Sequence, residues 1–218
     1  MKNKTLVSIF IFTFVGLISL QIPFSRVLGS NTKFTLFDFI APSFGAVLGS
    51  VPGIFSVFLI QVVNIILHGK NFDFGGIIRI FPTLFAVFYF AKKRTANIIV
   101  PFLAIIAFNL HPIGRSAWQY SMFWLIPIAS YFFRKNLFIR SLGATFTAHA
   151  VGGALWVWTF GLSKEIWLSL IPQTAMERLL FASGISVFYL LILNTLSFIF
   201  KKRILPLLPN IEKKYLYV

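Results

Sequence analysis

The amino-acid sequence predicts an all-α fold, a polytopic bundle of six to eight transmembrane helices whose two termini both lie in the cytoplasm. Three observations lead to this prediction. Hydrophobic residues make up 58% of the 218 residues and charged residues only 11%, with a mean hydropathy of +0.86. A soluble domain carries roughly 25% charged residues, so this chain is too apolar for a single globular core. The apolar residues also form long runs, and basic residues cluster between them.

Eight apolar runs divide the chain, separated by polar, Gly or Pro residues. A helix needs about 20 residues, and at least about 17, to cross a bilayer. The second and third runs are short by this measure and the last is overlong, so the helix number falls to six or seven if one run is re-entrant. "GSVPG", between the short runs, predicts a tight hairpin. We treat residues 1–218 as one integral membrane domain with helices at about 5–24, 36–50, 54–68, 76–91, 96–111, 117–133, 138–161 and 170–200.

The basic residues predict the orientation of these helices. A cytoplasmic N-terminus and eight spans place most Lys and Arg residues on the cytoplasmic side and four of the five acidic residues on the outer side. This bias is what the positive-inside rule expects for an even number of spans. In a soluble protein, 20 basic against 5 acidic residues would suggest nucleic acid. Here the clustering indicates membrane topology, and no nucleic-acid partner is predicted.

Polar residues concentrate in the predicted outer halves of the later helices, whereas the inner halves are nearly all apolar. Polar side chains at membrane depth face a protein interior or a water-filled cavity, so we expect a pocket that opens to the outside and takes a small molecule. Aromatic residues suit a planar ring, and Arg79 or Arg115 suits a carboxylate or phosphate. The candidate binding residues are Asn64, Arg79, Asn109, His111, Arg115, Trp118, Gln119, Tyr120, His149, Trp156 and Glu177.

Several of these candidates also have a structural explanation. Aromatic residues at helix ends form interfacial belts, and Asn64, with Gln61 on the same helix face, is suited to hydrogen bonding between helices. Glu177 and Arg178 are expected at the outer interface as a solvated pair. His149 lies near mid-depth and needs a partner, which either a neighbouring helix or a ligand supplies.

Few residues support an enzymatic or metal-dependent function. The chain has no cysteine, only three histidines, and neither an H-E-x-x-H motif nor a Walker loop, so we predict no cofactor, metal site or catalytic residue. One enzymatic alternative uses Ser116 as nucleophile and His149 as base, because "TAHAVGGAL" is similar to the His-bearing helix of rhomboid proteases. However, "GRSAW" lacks the closing glycine of G-x-S-x-G. A non-catalytic membrane scaffold or lipid-handling protein is the second alternative.

Small residues recur every four positions at Ala41, Gly45, Gly49 and Gly53. A stripe of this kind lets two helices approach closely. We expect it to serve packing within the short hairpin in preference to an interface with a partner.

The stretch "FTLFDFIAPSFGAVLGSVPGIFSVFLIQVVNIILHG", at 34–69, resembles the substrate-binding S components of energy-coupling factor (ECF) transporters, which place an "f.l.D" element and a glycine-rich turn in this order. "SLIPQTAMERLLFASGISVFYLL", at 169–191, is similar to their last helix. The resemblance implies a multi-pass plasma-membrane protein that binds a vitamin or vitamin precursor from outside. It also implies partners, namely an ECF transmembrane coupling subunit and ATPase subunits that drive uptake.

Overall fold

The computed structural model describes the backbone of residues 2–26, 33–68, 74–201 and 212–217. In this part of the chain the structure is helical apart from one short hairpin, so the all-α class is confirmed. The strands β1 (Pro23–Arg26) and β2 (Lys33–Thr35) pair antiparallel. The helices are α1 (Lys2–Leu20), α2 (Leu36–Leu48), α3 (Ser50–Leu67), α4 (Phe74–Ala91), α5 (Ala96–Leu110), α6 (Pro112–Ser116), α7 (Trp118–Ser121), α8 (Leu125–Phe133), α9 (Leu137–Thr159), α10 (Lys164–Ser169) and α11 (Ile171–Lys201), with 3-10 turns at Met122–Trp124 and Lys213–Tyr215.

Among the residues that the structure describes, two helical segments are long and apolar enough to cross a membrane. They are α3 and residues Ile171–Phe198 of α11, with mean hydropathies of 2.1 and 2.0. Four shorter apolar helices, of 10–17 residues, lie in α1, α2, α4 and α5. Many large apolar side chains are exposed on the bundle, among them Phe10, Val51 and Met176, each more than 70% accessible. Length, composition and apolar surface are consistent with association with a membrane.

The structure corrects the predicted ends of several helices. The first helix does not reach residue 24, because α1 ends at Leu20 and Pro23 begins a strand; a proline disfavours helical geometry in the residue before it. The predicted helix 117–133 is interrupted at the 3-10 turn Met122–Trp124. Pro127 has no N–H to donate to the carbonyl four residues earlier, so the helix cannot continue regularly there.

The predicted hairpin between the two short runs is present and tighter than expected. α2 ends at Leu48 and α3 already begins at Ser50, because Pro52 falls in the first helical turn, where a missing N–H is tolerated. Gly49 alone makes the turn, with φ 97°, a conformation that side chains disfavour. Gly49 is therefore a turn residue.

The other small residues of that stripe pack helices within the chain. A methyl group on Gly53 would lie only 2.6 Å from the backbone of Gly45, and one on Gly45 would lie 2.6 Å from the Val87 carbonyl oxygen of α4. Ala41 is fully buried. These residues thus lie where α2 packs closely against both α3 and α4.

α9 is the central helix of the bundle. It packs against α4, α5, α8 and α11, while α2 packs against α1, α3, α4 and α11. Buried residues form two hydrophobic clusters, one around Phe44, Tyr89 and Tyr189 and the other around Phe108 and Trp124. The second cluster combines the four aromatic residues Phe108, Tyr120, Trp124 and Trp167 with alanines and a valine, and it surrounds the polar residues described below.

Basic side chains collect at one end of the bundle, which we call the basic end and define by Ser50, Arg94, Arg134 and Arg140. Arg94 donates to Ser50 Oγ at 3.0 Å, which joins the end of α4 to the α2–α3 turn. Arg134 and Arg140 donate to carbonyl oxygens in the last turn of α4, at 2.7–3.2 Å. The last carbonyls of a helix have no partner within the helix, so these arginines satisfy the end of α4.

Glu212 connects the C-terminal segment, residues 212–217, to the basic end. Its Oε1 accepts from Arg140 Nη1 at 2.6 Å and from Tyr189 Oη at 3.0 Å, which connects the segment to α9 and α11. Burial raises the pKa of the Glu212 carboxyl. The Arg140 charge and the hydrogen bonds from Arg140 and Tyr189 lower this pKa by more than burial raises it, so it lies below its ordinary value.

The depressed pKa of Glu212 makes stability depend on pH. A carboxyl whose pKa is lower in the folded state stabilises that state above its unfolded pKa, roughly 4.3. This contribution is lost as the pH falls through the folded value. We expect the melting temperature in detergent to fall between pH 6 and pH 3, and Glu212→Gln to reduce that fall. An equal fall in Glu212→Gln would contradict this assignment.

Candidate functional site

The end of the bundle opposite the basic end, which we call the polar end, is defined by Gln21, Asn64, Arg79 and Trp156. Gln21 Nε2 donates to Asn64 Oδ1 at 3.1 Å, joining the ends of α1 and α3. The Arg79 guanidinium carbon lies 5.6 Å from the centre of the Trp156 ring, joining α4 to α9. All four residues belong to the outer halves of their helices in the topology predicted from the sequence.

A chain of hydrogen bonds runs from α9 across to α7 and α11. Trp124 Nε1 donates to His149 Nδ1 at 3.0 Å. Because the indole N–H can only donate, the imidazole hydrogen lies on Nε2, which donates to Tyr120 Oη at 2.8 Å. Tyr120 Oη also shares a hydrogen bond with Thr174 Oγ1 at 3.1 Å. Both imidazole nitrogens therefore have partners, and His149 is held as the neutral ring.

His149 is nevertheless only partly buried, although Tyr120, Trp124 and Thr174 are almost completely buried. Thr145, His149, Gly152 and Trp156 lie on one face of α9, at helical spacing. Gly152 and Trp156 are also partly accessible. This face of the central helix is thus partly accessible along part of its length, and polar and aromatic groups line it.

Arg178 corrects the prediction of a solvated pair with Glu177. Its side chain is 7% accessible and that of Glu177 is 21% accessible. Phe34, from the hairpin strand β2, covers the Arg178 guanidinium with its ring centre 5.1 Å away, and Phe181 covers it at 4.5 Å. The sequence predicted correctly that Glu177 and Arg178 lie near the start of α11. It did not predict that Phe34 of the hairpin would shield Arg178 from solvent there.

Two buried donors of this region have no hydrogen-bond acceptor. They are Arg178 Nε and Trp167 Nε1. The Trp167 ring, on α10, lies 4.9 Å from the Tyr120 ring and 5.1 Å from the Phe108 ring, between centroids. Unsatisfied buried donors are uncommon in folded proteins because each costs desolvation energy.

Apart from Tyr120, the predicted residues of α5 to α7 form a separate group toward the surface. Asn109 Nδ2 donates to Ser121 Oγ at 3.0 Å, and His111 Nδ1 accepts from the Ile113 N–H and caps α6. The His111 ring meets the Trp158 ring edge to face at 4.9 Å. Within this group, three exposed residues belong to α6 and α7, namely Arg115, Trp118 and Gln119.

The structure thus divides the candidate binding residues among four places. Tyr120, His149 and Glu177 lie in or beside the hydrogen-bonded chain, while Asn64 lies apart from it on α3. Arg79 and Trp156 form a pair at the α4–α9 contact. The surface group of α5 to α7 comprises Asn109, His111, Arg115, Trp118 and Gln119.

Ser116 and His149 do not form a dyad in this structure. Ser116 is exposed and its Oγ donates to the Ile113 carbonyl at 2.7 Å. Both nitrogens of His149 are bonded to Tyr120 and Trp124. In the described part of the chain, no three His, Asp or Glu side chains cluster as a metal site would require.

Sequence reasoning missed Arg178, Trp167, Thr145 and Thr174 as site residues. One signal could have found two of them. Thr174, Arg178, Phe181 and Ile185 recur at helical spacing, and all four are buried. Arg178 therefore occupies the same stripe of α11 as the apolar core residues, a position that hydropathy averaged over a window does not distinguish.

Comparison with known proteins gives one relative and no established function. The chain is 27% identical to the uncharacterized protein MJ0923 of Methanocaldococcus jannaschii over an alignment of 228 positions, which covers 93% of this chain and 76% of that protein. No protein-family model matches the chain, and no solved structure matches it.

Proposed function

We propose that this chain is a multi-pass protein of the plasma membrane, with six to eight membrane-spanning helices and the basic end in the cytoplasm. The exposed apolar side chains would then face lipid. Basic residues at the cytoplasmic end agree with the positive-inside rule, and the two termini would both lie on that side.

Single cysteines test this topology, because the natural chain contains none. Trp118→Cys replaces a half-exposed residue beyond the polar end, and Lys135→Cys an exposed residue at the basic end. We expect a membrane-impermeant maleimide to label Trp118→Cys in intact cells and Lys135→Cys only after permeabilisation. The reverse pattern would contradict the orientation. Labelling of both positions in intact cells would contradict a membrane barrier between the ends.

We further propose that the protein is a non-catalytic solute-binding subunit, similar to an ECF S component, which takes a small organic molecule of the vitamin or precursor class from outside. The observation that carries this proposal is the chain Trp124–His149–Tyr120–Thr174 beside a partly accessible face of α9. An ECF transmembrane coupling subunit and ATPase subunits would be its partners in uptake.

The physical support for a binding pocket is that burying this chain of polar side chains costs free energy. Polar groups inside an apolar helical bundle are expensive unless they are paired, and apolar residues would pack the same space more cheaply. Ligand pockets are typically apolar and aromatic, with a few placed polar groups. Phe108, Phe123, Phe146 and Trp167 supply the aromatic surroundings of Tyr120 and His149 here.

A solute screen tests the proposed function. We expect one member of a panel of water-soluble vitamins and precursors to raise the melting temperature of the detergent-purified protein; at 100 times Kd the stabilisation is about 2.7 kcal/mol. Tyr120→Phe, which breaks two bonds of the chain, should weaken this effect, whereas Ser50→Ala at the basic end should not. A panel without any stabilising solute would contradict the proposal. Proteolytic activity that Ser116→Ala removes would favour the hydrolase alternative.

A further inference from the structure

The guanidinium of Arg178 is buried in the second turn of α11 without a close acceptor. Nη1 reaches Thr145 Oγ1 at 3.3 Å and Nη2 reaches Glu177 Oε2 at 3.5 Å, while Nε has no acceptor. Charge-assisted N–H···O bonds are usually about 2.7–2.9 Å long. Of the five N–H groups that an arginine offers, two make long contacts, and the buried Nε makes none.

The two carboxylates near Arg178 are engaged with other groups. Glu177 Oε1 accepts from Gln173 Nε2 at 2.7 Å, and Asp38 Oδ2 accepts from the Thr35 backbone N–H at 2.8 Å, where it caps α2. Both attract the Arg178 charge, but only Glu177 lies within 4.0 Å of it. Neither carboxylate provides the close, two-point contact that a buried guanidinium usually makes.

The rings of Phe34 and Phe181 stabilise the positive charge of Arg178, but they do not accept hydrogen bonds from the N–H groups at the edge of its guanidinium. Their centres lie 5.1 and 4.5 Å from the guanidinium carbon, within the range of cation–π attraction. The arginine is therefore held in place by aromatic surfaces while its Nε donor is left free. This combination is suited to a planar acceptor that arrives from elsewhere.

A second buried donor without an acceptor, Trp167 Nε1, lies beside the hydrogen-bonded chain. Thr174 precedes Arg178 by one turn of α11 and is bonded to Tyr120, whose ring contacts the Trp167 ring. Arg178 Nε and Trp167 Nε1 thus flank Tyr120 and Thr174, and both lack acceptors. A ligand in this position would meet donors and aromatic rings, together with the partly accessible His149.

We infer that the solute carries a carboxylate, which binds Arg178 through Nε and a terminal nitrogen, with a second acceptor toward Trp167. This inference rests on the proposed function and names the chemical class of its substrate. The carboxylate would take the position that no group of the protein fills, and Thr145 and the two phenylalanine rings would orient the guanidinium.

Paired acids and neutral analogues test the inference in the detergent-purified full-length protein. The probes are nicotinate with nicotinamide and pantothenate with panthenol, together with the rest of the vitamin panel at constant ionic strength. We expect an acid to raise the melting temperature and its neutral partner to have little effect. Arg178→Lys keeps the charge but loses the planar fork, and should weaken binding of the acid by about 30-fold or more; Arg94→Lys, on an exposed arginine at the basic end, should not.

A solute that binds equally well as acid and as neutral analogue, or whose affinity Arg178→Lys leaves unchanged, would overturn the inference while the proposed function stands. A panel in which no solute of either kind binds the wild-type protein would overturn the proposed function, and this inference with it.

A measurement without ligand gives an independent test. A buried charge that lacks close partners contributes little to stability, and an apolar side chain of similar size is often neutral or stabilising in its place. We expect Arg178→Met to leave the melting temperature unchanged or to raise it. The control is Arg140→Met, which removes an equally buried arginine bonded to Phe90 O at 2.7 Å and Glu212 at 2.6 Å, and should lower it. A comparable loss for both variants would overturn the inference, because Arg178 would then be a structural charge.

Discussion

Replacing His149 with leucine is expected to lower the free energy of unfolding by about 2–5 kcal/mol. The substitution leaves the buried Trp124 Nε1 donor without its acceptor and removes the donor to Tyr120 Oη. Each buried polar group left unpaired costs about 1–3 kcal/mol. Reversible unfolding in mixed micelles, followed by tryptophan fluorescence or circular dichroism, measures the change. His111→Leu, which removes a cap at the protein surface, should cost about 1 kcal/mol.

Two further variants separate the hydrogen bonds of His149 from its volume. His149→Gln offers an acceptor and a donor on one side chain and should recover part of the loss. The double variant His149→Leu with Trp124→Phe removes both partners of one bond, so its cost should be smaller than the sum of the single costs. Additive costs in this cycle would contradict the assigned Trp124–His149 bond.

The helical elements were predictable because hydropathy and breakers act locally. Each of the eight apolar runs contains a helix, and Gly49 makes the expected turn. The errors at 23–26 and 122–124 also have local causes, since Pro23 and Pro127 restrict the backbone next to them. Those positions could have been identified from the sequence, had the prolines been given more weight than the continuous apolar character.

The site was less predictable because its burial depends on residues distant in the sequence. Arg178 lies where its position along α11 suggested, but Phe34, more than 140 residues earlier, determines that it is enclosed. His149 needed a partner on physical grounds, and no local pattern indicates that Trp124 and Tyr120 supply it. The sequence identifies polar residues that need an explanation; the helix packing decides which of them meet.

The same distinction applies to the exposed arginines. Arg79 and Arg115 were candidates for an anion because they flank apolar helices on the predicted outer side. In the structure Arg79 packs on the rings of Trp156 and Phe160, and Arg115 contacts the Asn109 carbonyl at a long 3.4 Å while exposed to solvent. An exposed guanidinium gains less from an anion than a buried one, because water screens the charge. Arg178 is therefore the stronger candidate on electrostatic grounds.

Gly143→Ala is expected to destabilise the protein by about 1–3 kcal/mol, the usual cost of forcing extra volume into a packed core. A methyl group at Gly143 would overlap the ring and hydroxyl group of Tyr89 on α4. That ring is fully buried, and its Oη donates to the Pro127 carbonyl at 2.8 Å, so it has little freedom to move aside. α4 and α9 would have to separate, although α9 contacts four helices at once.

Gly152→Ala is the matched control, because it adds the same methyl group to the same helix. Its nearest neighbour would be Pro82 at 3.4 Å, an ordinary van der Waals contact. Helix propensity favours alanine over glycine by about 1 kcal/mol, so Gly152→Ala should be neutral or stabilising. The same gain in helix propensity offsets part of the stability that Gly143→Ala loses through overlap with Tyr89. Tyr89→Leu combined with Gly143→Ala should cost less than the two changes separately, because the smaller side chain relieves the overlap. Equal stability of the two alanine variants would show that α4 and α9 do not meet at Gly143.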